Sequence, residues 1–418
     1  MGQLHKKFTD NQVKELLARY LKLEIKRRYI QEILGIGLTR FFALVKSYRN
    51  DPRRFTIQYA RKEPTRSIDD KIEQNILKEL SVDKKIIADP KTPTCRYNYS
   101  YIKNYLDQKY DQKVSLSTII DRAKTYGFYK PRPKKAAHDR EVITHQIGEL
   151  VQHDTSLYLW APASNEKWYL ITSIDDYSRF LLYAMLLKKE TSWAHIQALQ
   201  TVFLKHGLPY TYYVDSHSIF RFVQGRDSFY RTHVLQTDDV DTQWEQVLRD
   251  CNVKVIFALS PQAKGKIERP YEWIQDHLVR TCVRENVTQI HQALPILREE
   301  VRQYNYRRVH STTGEVPYFR FQRAQKEKIS LFRQFAVKPP FQSTKDIFCL
   351  RMNRVADSYR KISLHTAQLK VNGVDPQDTV NLRIHPLERG LCEVRFWRKE
   401  QLVDVQRLKS SDFKGIHF

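Results

Sequence analysis

Apolar residues recur along this chain with different periods, and the changes of period divide it. From 10 to 50 the spacing is helical. IKRRYIQEILGIGLTRFFALVKSYR holds two short apolar-periodic segments joined by Gly-Ile-Gly. The pattern predicts a helix over 29–34, a turn at 35–37 and a second helix over 38–48, the outline of a helix-turn-helix. An ordinary helical hairpin has the same outline, and Arg40, Lys46 and Arg49 on the second helix tilt the reading towards DNA recognition. Residues 68–130 repeat the theme. YSYIKNYLDQKY predicts one helix and VSLSTIIDRAKTYGFY another, with Ser115 or Ser117 as N-cap and Gly127 as the stop. The segment then runs into a basic stretch, as a winged helix runs into its wing. KPRPKKAAHDR (130–140) carries two prolines that break helices and favour an extended linker, so the main boundary is expected here.

From 148 the period falls to two. GELVQHDTSLYLW alternates as a half-buried strand does, and KWYLITSIDDYSRF and LLYAMLL read as two antiparallel neighbours. TSWAHIQALQTVFLKHG is an amphipathic helix closed by Gly207; YTYYVDSHS and KVIFALS are short strands. SPQAKGKIERPYEWIQDHLVRTC opens a helix, with Ser260 as N-cap and Pro261 in the first turn. The order strand-strand-strand-helix-strand-helix-strand-helix predicts a mixed sheet flanked by helices. From about 340, short alternating segments separated by turn residues predict a small antiparallel β-barrel or sandwich. The expected organisation is a helix-turn-helix at 1–60, a second, winged one at 61–130, a basic linker at 131–144, an α/β core at 145–325 and a β-barrel at 340–418.

Charge changes this picture more than length does. The chain has 418 residues and a formal net charge of +24, an excess that points to a polyanionic partner, and nucleic acid is the commonest. No apolar run is long enough to span a bilayer, and MGQLHKKFTD lacks a signal-peptide core. The five cysteines are scattered without a C-x-x-C pair, which argues against structural zinc or a disulfide framework and fits a reducing cytosol.

Three carboxylates stand where such a sheet would present them. Gln152, Asp154 and Ser156 share one face of the first strand. Asp215 ends the Tyr-Tyr-Val-Asp strand at its carboxyl edge, where functional groups collect in open sheets. Glu268 lies about two turns into its helix, beside a buried stripe of Ile267, Tyr271, Ile274 and Leu278. Converging carboxylates repel one another and are tolerable mainly around a cation. Hard oxygen ligands without a Cys or His cluster indicate Mg²⁺ or Mn²⁺. Two such ions stabilise the attacking and leaving oxygens of an in-line phosphoryl displacement. Taken singly, an Asp on a strand is usually a turn or surface residue and a Glu on a helix is usually solvated; it is the three together that point to a site.

The segments V-Q-H-D-T, I-D-D-Y-S-R-F, Y-V-D and S-P-Q-A-K-G-K-I-E-R, with Y-N-Y-R-R-V-H-S-T-T-G-E-V-P beyond them, resemble the successive signatures of the integrase core of retroviral integrases and insertion-sequence transposases. The resemblance covers roughly 145–320. It implies a ribonuclease H-like core with Asp154, Asp215 and Glu268 as catalytic, metal-holding triad, two divalent ions, and double-stranded DNA as partner. It further implies a DDE transposase that binds the terminal inverted repeats of its element, exposes 3′-hydroxyl ends and joins them to target DNA. At least a dimer on DNA and a bacterial cytoplasmic, nucleoid-associated location follow from the same likeness.

Two departures stand out. Ser216-His217 follows Asp215 where the family has Asn-Gly, and the spacing from Asp215 to Glu268 exceeds the retroviral one. The added residues bring Asp238, Asp239 and Asp241, which are either rival ligands or a solvated run capping the next helix. Asp175, Asp176 and Glu272 are the other rivals; the resemblance makes the Asp-Asp-Tyr-Ser-Arg hairpin structural, with Arg179 anchoring a turn. Lys264, Lys266, Arg269 and Gln262 around Glu268, His217, and Arg307 and Arg308 are expected to contact DNA. The competing functions are a DNA-binding regulator without catalysis and a structure-specific nuclease on the same fold.

Overall fold

The computed structural model describes residues 4–58, 68–131, 143–215, 219–220, 242–258, 265–364 and 368–413, with 265–270 described by backbone alone. The chain forms two compact units, Met1–Glu73 and Gln74–Phe418. In the first, α1 (Asp10–Leu21), α2 (Arg27–Leu34) and α3 (Leu38–Asn50) enclose Val13, Leu17, Ile30, Phe41 and Val45. Thr9 and Gln12 cap α1 reciprocally. Gly35 closes α2 at φ 60°, a left-handed conformation that glycine adopts without the Cβ penalty, and the turn to α3 falls where the sequence put it.

The second unit is built on a five-stranded sheet ordered β3-β2-β1-β4-β5. Its elements are β1 (Leu150–Tyr158), β2 (Trp168–Asp175), β3 (Leu181–Leu187), β4 (Thr211–Val214) and β5 (Lys254–Phe257). β1, β2 and β3 pair antiparallel, whereas β1–β4 and β4–β5 are parallel. Two helix layers cover it. α7 (Ser192–His206) and α8 (Gln243–Asp250) pack with Val151, Tyr212 and Val214 around Leu199, Phe203 and Trp244. α9 (Gly265–Arg284) and α10 (Ile290–Tyr306) pack with Leu170 and Ile174 around Ile274, Leu278 and Leu297. The mixed sheet flanked by helices is therefore present. β1 is not half-buried as its alternation predicted: Leu150–His153 are buried on both faces, because the strand is central and each face meets a helix layer.

Before the sheet come α4 (Asp70–Ala88), α5 (Tyr99–Tyr110) and α6 (Leu116–Thr125). Ser115, not Ser117, caps α6, accepting from Thr118 N at 3.1 Å. These helices dock on the outer flank of α9. Arg280 pairs with Asp83 and Asp276, and Arg284 with Glu79, while Tyr101 and Thr281 share a 2.9 Å hydrogen bond. Both Asp83 and Arg280 are fully buried.

After the core come α11 (Pro317–Lys326), α12 (Thr344–Ile347) and the strands β6 (Leu350–Val355), β7 (Lys361–Ser363), β8 (Gln368–Lys370), β9 (Thr379–Pro386), β10 (Leu391–Arg398) and β11 (Gln401–Lys409). The expected barrel does not close among the described residues. β11-β10-β9-β6 form an open antiparallel sheet, with β7–β8 as a separate ladder. Closure is unnecessary because the sheet already has an apolar partner: Phe348, Leu350 and Met352 share one cluster with Phe203 and Trp244 of the core. The Gln243 amide clips to the Arg351 backbone at 2.9 and 2.7 Å, and Arg351 reaches Asp250 at 2.6 Å. The chain between core and sheet is pinned twice. Leu331 N donates to Ile147 O at 2.8 Å, and Arg333 and Leu208 exchange bonds of 2.9 and 2.7 Å. It fits because Gly148 and Gly207 lie beneath it: a Cβ would stand 2.6 Å from Phe332 at the first and 2.5 Å from Arg333 O at the second.

Asp346 ties the sheet together. It is fully buried, accepts from Gln342 N at 2.9 Å and Ser343 N at 2.8 Å, and meets Arg395 at 2.5 Å. Asp346→Ala leaves that guanidinium with Glu393 alone, at 3.1 Å, and strips the Gln342 and Ser343 amides of their acceptor; it is expected to cost about 3 kcal/mol, read by denaturant unfolding. His206 gives a pH signature. Burial, aided by Lys205, pushes it down to about 4. The unfolded chain takes that proton near pH 6.5 and the folded chain resists, so stability falls as pH drops from about 6.5 to about 4. His206→Phe should flatten the fall in Tm over this window.

Candidate active site

The parallel ladder between β1 and β4 brings two of the expected acids together. It pairs Leu150 with Thr211, Val151 with Tyr212 and Gln152 with Tyr213. The same register, carried two residues further, sets Asp154 level with Asp215, and residues level on parallel strands point to the same face. That face is the one α9 crosses: Gln275 of α9 bonds Ser156 at 3.3 Å, and Ser156 shares a face with Asp154. Both aspartates are partly buried, and Asp215 lies just past the carboxyl end of β4.

Tyr271 fixes the helix over this face. Its hydroxyl donates to the Asp154 carbonyl at 2.7 Å and accepts from Thr172 Oγ1 at 2.8 Å. Thr172 is the residue paired with Asp154 across β1–β2. Burial, then the charges of Asp154, Glu190 and Asp215, hold the phenol well above its ordinary titration range. Several negative charges thus act on one buried group. Glu268 lies three residues before Tyr271, the spacing that puts two residues on one helical face. It stands in the first described turn of α9, earlier than the two turns expected, because the helix is described only from Gly265. Its side chain, and those of Ile267, Lys266 and Arg269, lie outside the described residues, as do Ser260, Pro261, Gln262, Lys264 and His217.

The rival acids separate. Asp175 is fully buried and accepts from Gly148 N and Ser178 N, each at 2.8 Å, and from Ser178 Oγ at 2.5 Å; burial still pushes it up to about 6. Asp176 accepts from Gln152 at 2.6 Å, Arg179 at 2.8 Å and Thr144 at 2.8 Å. Both are spent on the hairpin, where Arg179 takes φ 65°. Glu272 is exposed. Asp238, Asp239 and Asp241 fall outside the described residues, and the cap they were expected to supply to α8 is Thr242, boxed with Glu245. Among the described residues, no cluster of three His, Cys, Asp or Glu side chains forms a metal site. No described helix is long and apolar enough to cross a membrane.

The expected DNA contacts are scattered. Arg40, Lys46 and Arg49 are exposed on α3, away from buried Phe41 and Val45. Arg307 and Arg308 follow α10, the first exposed and the second half-buried. His310 beside them is buried, with Nδ1 accepting from Thr312 N at 3.2 Å.

Sequence reasoning missed a buried chain on the opposite face of β1. Ser173 Oγ meets His153 Nδ1 at 2.8 Å, His153 Nε2 meets His195 Nδ1 at 2.8 Å, and His195 Nε2 meets Glu190 Oε1 at 3.0 Å. With Glu190 ionised, the proton count closes when Ser173 donates to neutral His153, which donates to neutral His195. The chain anchors the residue before Asp154. A polar His at a position facing an apolar layer was the available signal. For Tyr271 it was a phenol in an otherwise aliphatic stripe, which requires a partner.

Tyr271→Phe strips two buried groups, the Asp154 carbonyl and the Thr172 hydroxyl, of their partner. The expected loss is about 1–3 kcal/mol of stability in thermal or denaturant unfolding. Tyr271→Phe combined with Thr172→Val should recover part of it, since no hydroxyl is then left unpaired.

No family model matches the chain. A putative transposase of Sinorhizobium fredii is 27% identical over 186 residues, 44% of this chain and 37% of that protein. The transposase for an insertion sequence of Streptococcus pneumoniae is 25% identical over 227 residues, 54% of this chain and 43% of that protein. The chain thus spans about two fifths of the length of these curated relatives. Among solved structures, the HTLV-2 integrase catalytic core domain in complex with magnesium aligns with 41% of this chain and 95% of its own, at 16% identity and TM-score 0.31. A simian T-cell lymphotropic virus intasome chain aligns with 70% of this chain and 91% of its own, at 12% identity and TM-score 0.32. Over about half of its length the chain is thus similar to transposases, one of them of an insertion sequence.

Proposed function

We propose that this protein is a DNA transposase whose ribonuclease H-like core uses Asp154, Asp215 and Glu268 as its catalytic triad. The observation that carries the reading is the level placement of Asp154 and Asp215 on adjacent parallel strands, on the face crossed by the helix of Glu268. The donor set suits a hard divalent cation: two aspartates level on adjacent parallel strands, under the helix that carries Glu268. Two Mg²⁺ or Mn²⁺ ions bound there would stabilise the entering and departing oxygens of phosphoryl transfer.

The chain's own residues do the rest. Tyr271 and Thr172 hold α9 against β1 and β2, which sets where Glu268 enters. The Ser173–His153–His195–Glu190 chain fixes β1 from the other side. Cleavage replaces a phosphodiester bond with a 5′-phosphate and a free 3′-hydroxyl by attack of water. Joining is attack of that hydroxyl on a target phosphodiester, releasing a target 3′-hydroxyl. Neither step passes through a covalent link to protein, so no nucleophilic side chain is required. In this reading the helices of 4–58 and 70–125 recognise the terminal inverted repeats. The C-terminal sheet adds DNA or subunit contacts, and at least two copies act together to join two ends.

The test incubates the protein with labelled element ends, target plasmid and Mg²⁺. Joined products support a transposase; cleavage without joining indicates a structure-specific nuclease, and binding alone a regulator. Asp154→Asn, Asp215→Asn and Glu268→Gln should each lower joining by more than about 100-fold, the loss seen when even a supporting group around a metal is removed. End binding should be spared. Full activity in Glu268→Gln removes Glu268 from the triad and passes its role to Glu272 or the acids at 238–241.

A further inference from the structure

A cleft of about 730 Å³ lies between α5 and the residues after α10, within the second unit. One wall is a stripe of α5, where Ser100, Lys103, Asn104, Asp107 and Gln108 recur at the three- and four-residue spacing of one helical face. Lys113, just before α6, extends it. The facing wall is Trp273 of α9 with Gln303, Arg307 and Arg308. Four cations therefore face a single acid, Asp107. Among the described residues, no carboxylate forms an ion pair with Lys103, Lys113, Arg307 or Arg308. Converging cations repel one another, and a half-buried guanidinium is costly without an anion.

The cleft is held open as a shape. Arg308 is fixed with its guanidinium 5.2 Å from the Trp273 ring and 5.6 Å from the Tyr304 ring. Burial holds its pKa below the usual arginine range. The α5 wall is fixed to α9 by the Tyr101–Thr281 hydrogen bond, and α4 is fixed to the same helix by the buried Asp83–Arg280 pair. Of the remaining polar lining, Asn104 and Gln108 offer side-chain amide donors, while the Gln303 amide donates to Glu299 at 2.6 Å. Cations with neutral donors and little acid suit the oxygens of a phosphodiester chain, and contacts to those oxygens carry no sequence information.

We propose that this cleft is a second DNA-binding site, which grips the sugar-phosphate backbone of one strand without regard to sequence. The inference rests on the DNA reading of the protein and adds a place for the DNA beyond the carboxylates. It also assigns a role to Lys103 and Lys113, which the sequence did not single out. Trp273 stands five residues along α9 from Glu268, so one helix lines the cleft and carries the third acid.

The test is anisotropy of the full chain with a labelled duplex of random sequence across a salt series. Lys103→Gln/Lys113→Gln and Arg307→Gln/Arg308→Gln should each weaken binding equally for all sequences. Each pair should reduce the slope of log K against log salt by about 1.8, two phosphate contacts' worth. Unchanged slopes overturn the proposal. A second measurement needs no variant: duplex at saturation should protect Lys103 and Lys113 of the unaltered protein from acetylation several-fold, read by mass spectrometry. Unaltered reactivity overturns the proposal, as does protection by polyglutamate but not by duplex, which marks an acidic-polypeptide site. If the unaltered protein binds no duplex at all, the DNA reading falls with it; if it binds with unchanged slopes in both variants, only the cleft falls.

Discussion

A buried phenol must find a partner, and in this protein the partners of Tyr271 are a strand carbonyl and the hydroxyl of the residue paired with it. That requirement sets the height and rotation of α9 over the sheet. Asp154 supplies the carbonyl, so the strand that presents the first of the proposed triad also fixes the helix that carries the third. Asp215 is placed by β-sheet register alone. The site thus depends on one side-chain contact and one ladder, both inside the packed layers.

The outer flank of α9 is held differently. Glu79, Asp83, Arg280 and Arg284 are buried ion pairs, which contribute little net stability but are costly to break singly. Such pairs tolerate few alternative arrangements, so they fix how α4–α6 sit on the core. The C-terminal sheet uses the same device at Asp346 and Asp250, next to a shared apolar cluster. In the C-terminal sheet the shared apolar cluster supplies the attraction, and the ion pairs select the geometry.

Local periodicity made much of this legible. β3 and α5 have the bounds their patterns gave, because LLYAMLL starts just after the turn at Arg179 and ends at Lys188-Lys189, and YSYIKNYLDQKY is framed by Asn98 and Asp111. Ser115 as a cap and Gly35 as a stop depend only on their neighbours. Contacts between distant residues were not legible. Nothing near Asp83 in sequence announces Arg280, and nothing in β1 announces that a second helix layer covers its outer face. The open C-terminal sheet was mistaken for a barrel for the same reason: alternation reveals that one face is buried, not what buries it. For the site, the two aspartates were legible as strand positions, whereas their level placement required the pairing of β1 with β4. The rival pair Asp175 and Asp176 is set aside by hydrogen bonds that no spacing reveals.

The strap of residues 329–333 crosses Gly148 and Gly207, at the entrance to β1 and the exit of α7. Its edges are bonded to the chain that enters the central strand, so a segment that follows α11 finishes a structure begun almost two hundred residues earlier. A fragment ending at 325, where the sequence suggests the core is complete, would leave Ile147 and Leu208 without these backbone partners and would bare the apolar cluster shared with Phe348 and Leu350. A piece that keeps the packing of this core therefore has to run through the C-terminal sheet, and that sheet moves as one body with the strands that carry Asp154 and Asp215.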